Sequence, residues 1–225
     1  MTQIHRSRSS EHPYVHTVWQ TRNLDDGVYV STPDGSWDLI LAIDAVGDRK
    51  MLLTGQATRP ALIPYAAGSS SVVISFAPWV YLEPPVLADL VDEVLPLAGV
   101  GANQFSLLGH TFAFPTYAQA EKLVDDLIAA GLLKCDEVVD GLIKGRPGAY
   151  SSRTVQRHFL QATGLTHKTF QQIHRAQEAV RLLKQGTRPA EAAADVGYTD
   201  QPHLTRSLRR IMGTTPGDVD DIHKL

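Results

Sequence analysis

Two short stretches near the end of the chain hold its most specific hydrogen-bonding chemistry. The first is Ser152–Thr163, with Arg153, Thr154, Gln156, Arg157 and Gln161. The second begins near Asp200 and carries Gln201, Pro202, His203, Thr205, Arg206, Arg209 and Arg210. An arginine can bond a guanine edge at two atoms, and a glutamine can do the same to adenine. Wound at 100° per residue, Val155, Phe159 and Ala162 fall on one side of the first stretch. Arg153, Arg157 and Gln161 fall on the other, with Thr154 and Gln156 at the flanks. In the second, Leu204, Leu208 and Ile211 form the apolar stripe, while Pro202, His203, Arg206 and Arg209 point away. Arg209 and Arg210, with backbone N–H groups at helix starts, suit phosphates, which fix register without reading sequence.

The elements that must hold these side chains are legible in turn residues. Gly164 ends the first helix in the left-handed conformation that glycine tolerates best. Gly197 stands where a helix-turn-helix needs a positive φ between its two helices. The stretch Thr169–Gln185 repeats Phe170, Ile173, Ala176, Val180 and Leu183 at core spacing, predicting one long helix between the two units. A helix from Arg188 to Val196 precedes the second unit. Upstream, Thr116 with Gln119 has capping-box spacing ahead of Leu123, Val124, Leu127 and Ile128, and Gly131 reads as a stop. Cys135–Ile143 reads as a further short helix, with Cys135 packed beside Leu132 and Val138.

The earlier part of the chain has a different period. Trp37, Leu39, Leu41 and Ile43 alternate with polar or small residues, which predicts one apolar face of a strand. Met51–Thr54, Ala61–Tyr65 and Val72–Phe76 are β-prone runs separated by turn signals. Leu82–Leu97 has more helical spacing between Pro84-Pro85 and Pro96. Residues 1–13 are polar and predict a flexible terminus. The expected fold class is α+β: a small β-rich domain over 14–115, then over 116–225 an all-α module of two helix-turn-helix units joined by a long helix.

Charge is divided along the chain. Residues 1–150 hold 10 basic and 17 acidic side chains, a net of −7, and residues 151–225 hold 11 and 7, a net of +4. A basic segment behind an acidic body implies a local polyanion contact. One cysteine excludes an internal disulfide and fits a reducing compartment. With no signal-like or membrane-spanning run, the expected location is cytoplasmic. His5, His12 and His16 lie close together but match no closed zinc spacing, so no metal and no cofactor are expected. No phosphate loop, nucleophile elbow or paired-carboxylate motif is present, and the chain does not read as an enzyme. Trp19, Trp37 and Trp79 could line a pocket but suit plain β-domain core.

The segment from about Thr116 to Asp220 resembles the DNA-binding module of AraC/XylS-type transcriptional regulators, with Ala193 to Arg210 and Gly213-Thr214-Thr215-Pro216 similar to its second helix-turn-helix. Ser152 to Phe159 with Gly164-Leu165-Thr166 resembles the first. By that resemblance Arg153, Gln156, Arg157, Gln201, Pro202, His203, Thr205 and Arg206 occupy base- and backbone-contacting positions. The turn at 146–150 is longer than is usual there, and Pro202 stands where a polar residue is common. Pro33 to Ile40 and Gly55 to Pro60 are similar to the cupin-like N-terminal domain of some such regulators. The resemblance implies double-stranded promoter DNA as partner. It leaves open RNA polymerase contact, a small-molecule effector at the N-terminal domain and a homodimer. Two alternatives also stand: a ligand-binding β-domain protein whose helices mediate protein contacts, and a DNA-repair regulator using Cys135 as a methyl acceptor.

Overall fold

The computed structural model describes residues 3–146 and 148–219; Asp220, at the end of the segment similar to the regulators, lies outside them. Thirteen strands precede or interleave with the first helices: β1 Gln3–Ser9, β2 Val15–Asn23, β3 Gly27–Ser31, β4 Trp37–Ile43, β5 Arg49–Thr54, β6 Ala61–Tyr65 and β7 Ser70–Phe76. They continue with β8 Val80–Leu82, β9 Val94–Leu97, β10 Gly99–Val100, β11 Gln104–Leu107, β12 His110–Ala113 and β13 Leu133–Cys135. The helices are α1 Ala120–Ala129, α2 Glu137–Ile143, α3 Ser152–Thr163, α4 His167–Lys184, α5 Pro189–Asp195 and α6 Gln201–Met212.

The main sheet runs β1-β2-β7-β4-β5-β9, and its pairs are antiparallel. The period-two pattern in β4 does what it predicts. Trp37, Leu39 and Leu41 are buried on one side, with Met51, Leu53, Ile74 and Phe76 from neighbouring strands. Trp37 stacks on Phe76 at 4.0 Å between centroids, and its Nε1 donates to the Val80 carbonyl at 2.7 Å. That bond lets an indole sit in the core without orphaning its N–H. The opposite face of the sheet carries Asp38, Ile40 and Ser75, and the separate two-stranded sheet β3–β6 stands over it.

Four local expectations are corrected. From residue 3 the polar start of the chain is not a frayed end, and residues 1 and 2 lie outside the described residues. Residues Gln3 to Ser9 pair with β2 from Gln3↔Asn23 to Ser9↔Thr17, and Arg8 pairs with Glu121 of α1. Backbone pairing and this ion pair order a strand whose side chains gave no apolar signal. Leu82–Leu97 is not a helix but β8, a 3-10 turn at Leu87–Leu90, and β9. Its prolines block helix propagation, and Pro96 is tolerated because β9 is an edge strand. No capping box forms at Thr116, whose side chain caps nothing, and a 3-10 turn at Tyr117–Gln119 precedes α1. Cys135 lies in a strand and is exposed rather than packed in a helix.

Packing also reassigns α1. Its Leu123, Val124 and Leu127 are buried in the same core as the strands, and β13 pairs with β8. Residues 116–135, which their helical period grouped with the second domain, therefore pack with the first. The later helices form two further cores. Val139, Phe159, Ala162 and Phe170 close a small one that Trp79 and Tyr81 of the β region partly cover. Ile173, Ala176, Val180, Leu204, Leu208 and Ile211 form a larger one between α4, α5 and α6.

Candidate nucleic-acid interface

Three helices of the C-terminal module, α3, α4 and α6, start on a capping side chain, whereas α5 starts at Arg188 with none. Ser151 accepts from the Thr154 amide at 3.1 Å, Thr166 from Thr169 at 3.0 Å, and Asp200 from His203 at 2.7 Å. These caps satisfy amides that the first helical turn leaves without partners. Gly164 and Gly197 adopt φ of 71° and 77°, the left-handed region predicted for both turns. At 18 residues, α4 is about 27 Å long and joins the two units without a break.

On α6 the exposed and buried faces separate cleanly. Leu204, Ser207, Leu208, Ile211 and Met212 are buried, while Gln201, Pro202, His203, Arg206, Arg209 and Arg210 are exposed. Pro202 sits in the first turn, where its missing N–H costs nothing, so it sets the helix start rather than offering a polar contact. Thr205 is half-buried, and its hydroxyl donates to the Gln201 carbonyl at 3.0 Å. Arg210 leans on Gln172 of α4 at 3.2 Å. Behind this face Tyr198 donates or accepts at Ser207 at 2.9 Å, and the His203 ring meets its edge at 5.1 Å.

On α3 the separation is partial. Arg153 and Arg157 are exposed, and Thr154 and Gln156 are half-buried. Gln161, which the helical wheel placed with the outward arginines, is half-buried and hydrogen-bonds Tyr81 of β8. The cause is that α3 lies across β8 and the Leu87–Leu90 turn, so this flank meets protein instead of solvent. Gly164 marks a tight approach: a Cβ there would come 2.7 Å from the Val91 Cγ2 and 2.8 Å from the Ala88 Cα. Sequence reasoning missed a residue pair that fixes this pose. Asp136 accepts from the amides of Val138 and Val139 and also meets His158 Nδ1 at 2.7 Å, tying α2 to α3. An Asp before an apolar pair signals a cap, but its second partner 22 residues later has no local signature.

A second concave feature lies between the main sheet and β3–β6, a cavity of about 960 Å³. Trp19, Tyr29, Asp34 and Asp38 are among its walls. Of the three tryptophans only Trp19 lines it; Trp37 is core, and Trp79 lies under Lys144 at 4.3 Å. At Cys135, desolvation and then the Asp140 charge push the thiol above its ordinary range, which disfavours the thiolate a methyl acceptor needs.

Residues 149–221 match the family model of a helix-turn-helix domain. This segment is a helix-turn-helix domain. The chain is 36% identical over 66 residues to the HTH-type transcriptional regulator RipA of Corynebacterium diphtheriae, covering 29% of this chain and 20% of that one. It is also 36% identical over 55 residues to the uncharacterized HTH-type transcriptional regulator YbfI of Bacillus subtilis, covering 24% and 20%. The chain thus matches about a fifth of the length of these relatives. A solved structure of ToxT from Vibrio cholerae aligns over 99% of both chains at 10% identity and a TM-score of 0.36, too low to equate the folds. No helix among the described residues is long and apolar enough to cross a membrane.

Proposed function

We propose that this chain is a sequence-specific DNA-binding transcriptional regulator of the AraC/XylS type. The observation that carries the reading is the free face of α6, with Gln201, His203, Arg206, Arg209 and Arg210 exposed on a helix whose other side is wholly buried. In this reading α3 and α6 enter successive major-groove segments on one face of the duplex, roughly 34 Å apart, with α4 as the strut. Arg153, Gln156, Arg157, Gln201, His203 and Arg206 meet bases or nearby backbone. Arg209 and Arg210 meet phosphates. Thr154, Pro202 and Thr205 shape the helix starts, and Gln161 contributes through the seat of α3. The net charge of +4 over residues 151–225 supports the same partner.

Effector control belongs to the proposal as well. A cavity of about 960 Å³ has the size of a small-molecule site, and it lies in the part of the chain that the helical module rests on. Promoter DNA is then the principal partner, in the cytoplasm, with a homodimer and RNA polymerase as further partners and no catalysis assigned.

Gel-shift titration against genomic fragments at about 150 mM salt tests the reading. Sharp retention of one promoter fragment, at least about a thousandfold tighter than random DNA, is expected. Equal affinity for all fragments would overturn sequence-specific control. No retention at all would favour helices that serve only protein contacts.

A further inference from the structure

We propose that the cavity between the main sheet and β3–β6 takes a small organic cation, an amine or amidine carried on a flat apolar body. The proposal rests on the effector reading above and names the chemistry of its site. Three observations meet there. Among the cavity's charged lining residues are six carboxylates and two cations, Lys50 and Arg59, and both cations are exposed. The inner carboxylates, Asp34 and Asp38, are half-buried. Asp92 is half-buried too, while Asp44, Asp48 and Glu93 are exposed; a carboxylate ligand would meet net repulsion here, whereas an ammonium or amidinium would gain charge-assisted hydrogen bonds.

The aromatic wall suits the same guest. Trp19 and Tyr29 stand 6.3 Å apart at 42°, with the His5 ring 5.7 Å from Trp19. Ring faces attract cations and stack on flat apolar groups. The third observation is an orphan donor. Ser75 is 1% exposed, and its hydroxyl has no hydrogen-bond partner. It is paired across the ladder with Asp38 and shares its strand face with Ser71 and Val73, which line the cavity. Buried hydroxyls are ordinarily paired, and this unpaired one lies just behind the wall that Asp38, Ser71 and Val73 form.

The site also has a path to the DNA-binding helices. His5, Trp19, Thr32 and Asp34 line a smaller adjoining crevice of about 200 Å³, and its other wall is Gln177, Val180 and Met212 of α4 and α6. Gln177 Nε2 donates to the Pro33 carbonyl at 3.3 Å, one residue from Asp34. A guest drawn to Asp34 therefore presses on the loop that seats α4.

Calorimetric titration of the full chain with phenethylamine and tryptamine, beside 2-phenylethanol and 3-phenylpropanoate, tests this. The amines should bind saturably and the carboxylate should not. Asp38→Asn and Asp34→Asn should each weaken amine binding about tenfold, equivalent to about 1.4 kcal/mol, while Glu11→Gln, outside the cavity, should leave it unchanged. Asp34→Asn keeps the oxygen that caps Ser36, so the test survives if Asp38→Asn fails to fold. Absence of amine binding, or amine binding indifferent to both substitutions, overturns the cation. Binding of the alcohol or carboxylate in its place would leave an effector site of different chemistry. Gel shifts without ligand keep the regulator reading separately testable.

Discussion

Arg157 and Arg209 are both exposed arginines on the last helices, yet the proposal gives them different work. Arg157 stands on the outer side of α3 beside Gln156, so Arg157→Ala should cost about 1–3 kcal/mol on the specific site and relax one base position. Equal loss on specific and random DNA would make Arg157 a phosphate contact. Arg209 lies in the last turn of α6, away from the end that the proposal places in the groove. Arg209→Ala should weaken both kinds of DNA and lower the salt slope by about one; an unchanged slope rejects the phosphate role. At this scale the sequence told most about α6, because its burial follows the 3.6-residue period without interruption. It told less about α3, where Gln161 obeys the period but meets Tyr81 from a strand some 80 residues earlier. No local pattern encodes that encounter.

Elements differ in how much their neighbours constrain them, and two glycines measure this. Gly197 has φ of 77° and nothing within 4 Å of a Cβ placed on it. Gly197→Ala should cost only the left-handed backbone penalty, about 1–2 kcal/mol. Gly164 has φ of 71° and the Ala88 backbone in the way. Gly164→Ala should destabilise by clearly more and displace α3, read as urea midpoints and as lost affinity for DNA. Similar midpoints for the two variants would show that α3 is not tightly seated. The clamp between β1 and α1 gives a pH test. The Arg8 guanidinium holds the Glu121 carboxyl down at about 2, against an ordinary 4.5. Its stabilisation is whole above pH 4.5 and is lost as pH falls through that window toward 2. With both side chains partly open to solvent, the loss should be about 1–2 kcal/mol. Glu121→Gln should lack this acid-side decline in urea midpoints, and parallel curves would reject the clamp. The strands of this clamp were also the least legible. β1 is polar at nearly every position, so only its partner and the ion pair reveal it. α4 and the caps at Ser151 and Asp200 were legible because a helix start and an apolar period are local properties.

At the scale of the molecule, the cores do not divide where the hydrophobic period changes. Leu123, Val124 and Leu127 of α1 are covered by strands, so a fragment of residues 116–225 should expose them and aggregate. A fragment of residues 136–225 lacks that stripe and should stay in solution with its α4–α6 core intact. Light scattering and circular dichroism of the two fragments check this, and a well-behaved longer fragment would mean that α1 can close on the later helices. The β-rich fold was legible in outline from alternation and turn residues. The assignment of 116–135 was not, because helical period reports that a helix exists and says nothing of which core receives it.

The loop around Pro33 to Ser36 touches both halves of this protein at once. Asp34 forms part of the cavity wall, Pro33 receives Gln177, and Gly35 is close enough to Phe170 that a Cβ would come within 3.0 Å. On the proposed reading, genetic screens for changed effector response and for changed operator choice should converge on these few positions. A single substitution there would alter both phenotypes, and neither trait could drift without dragging the other along.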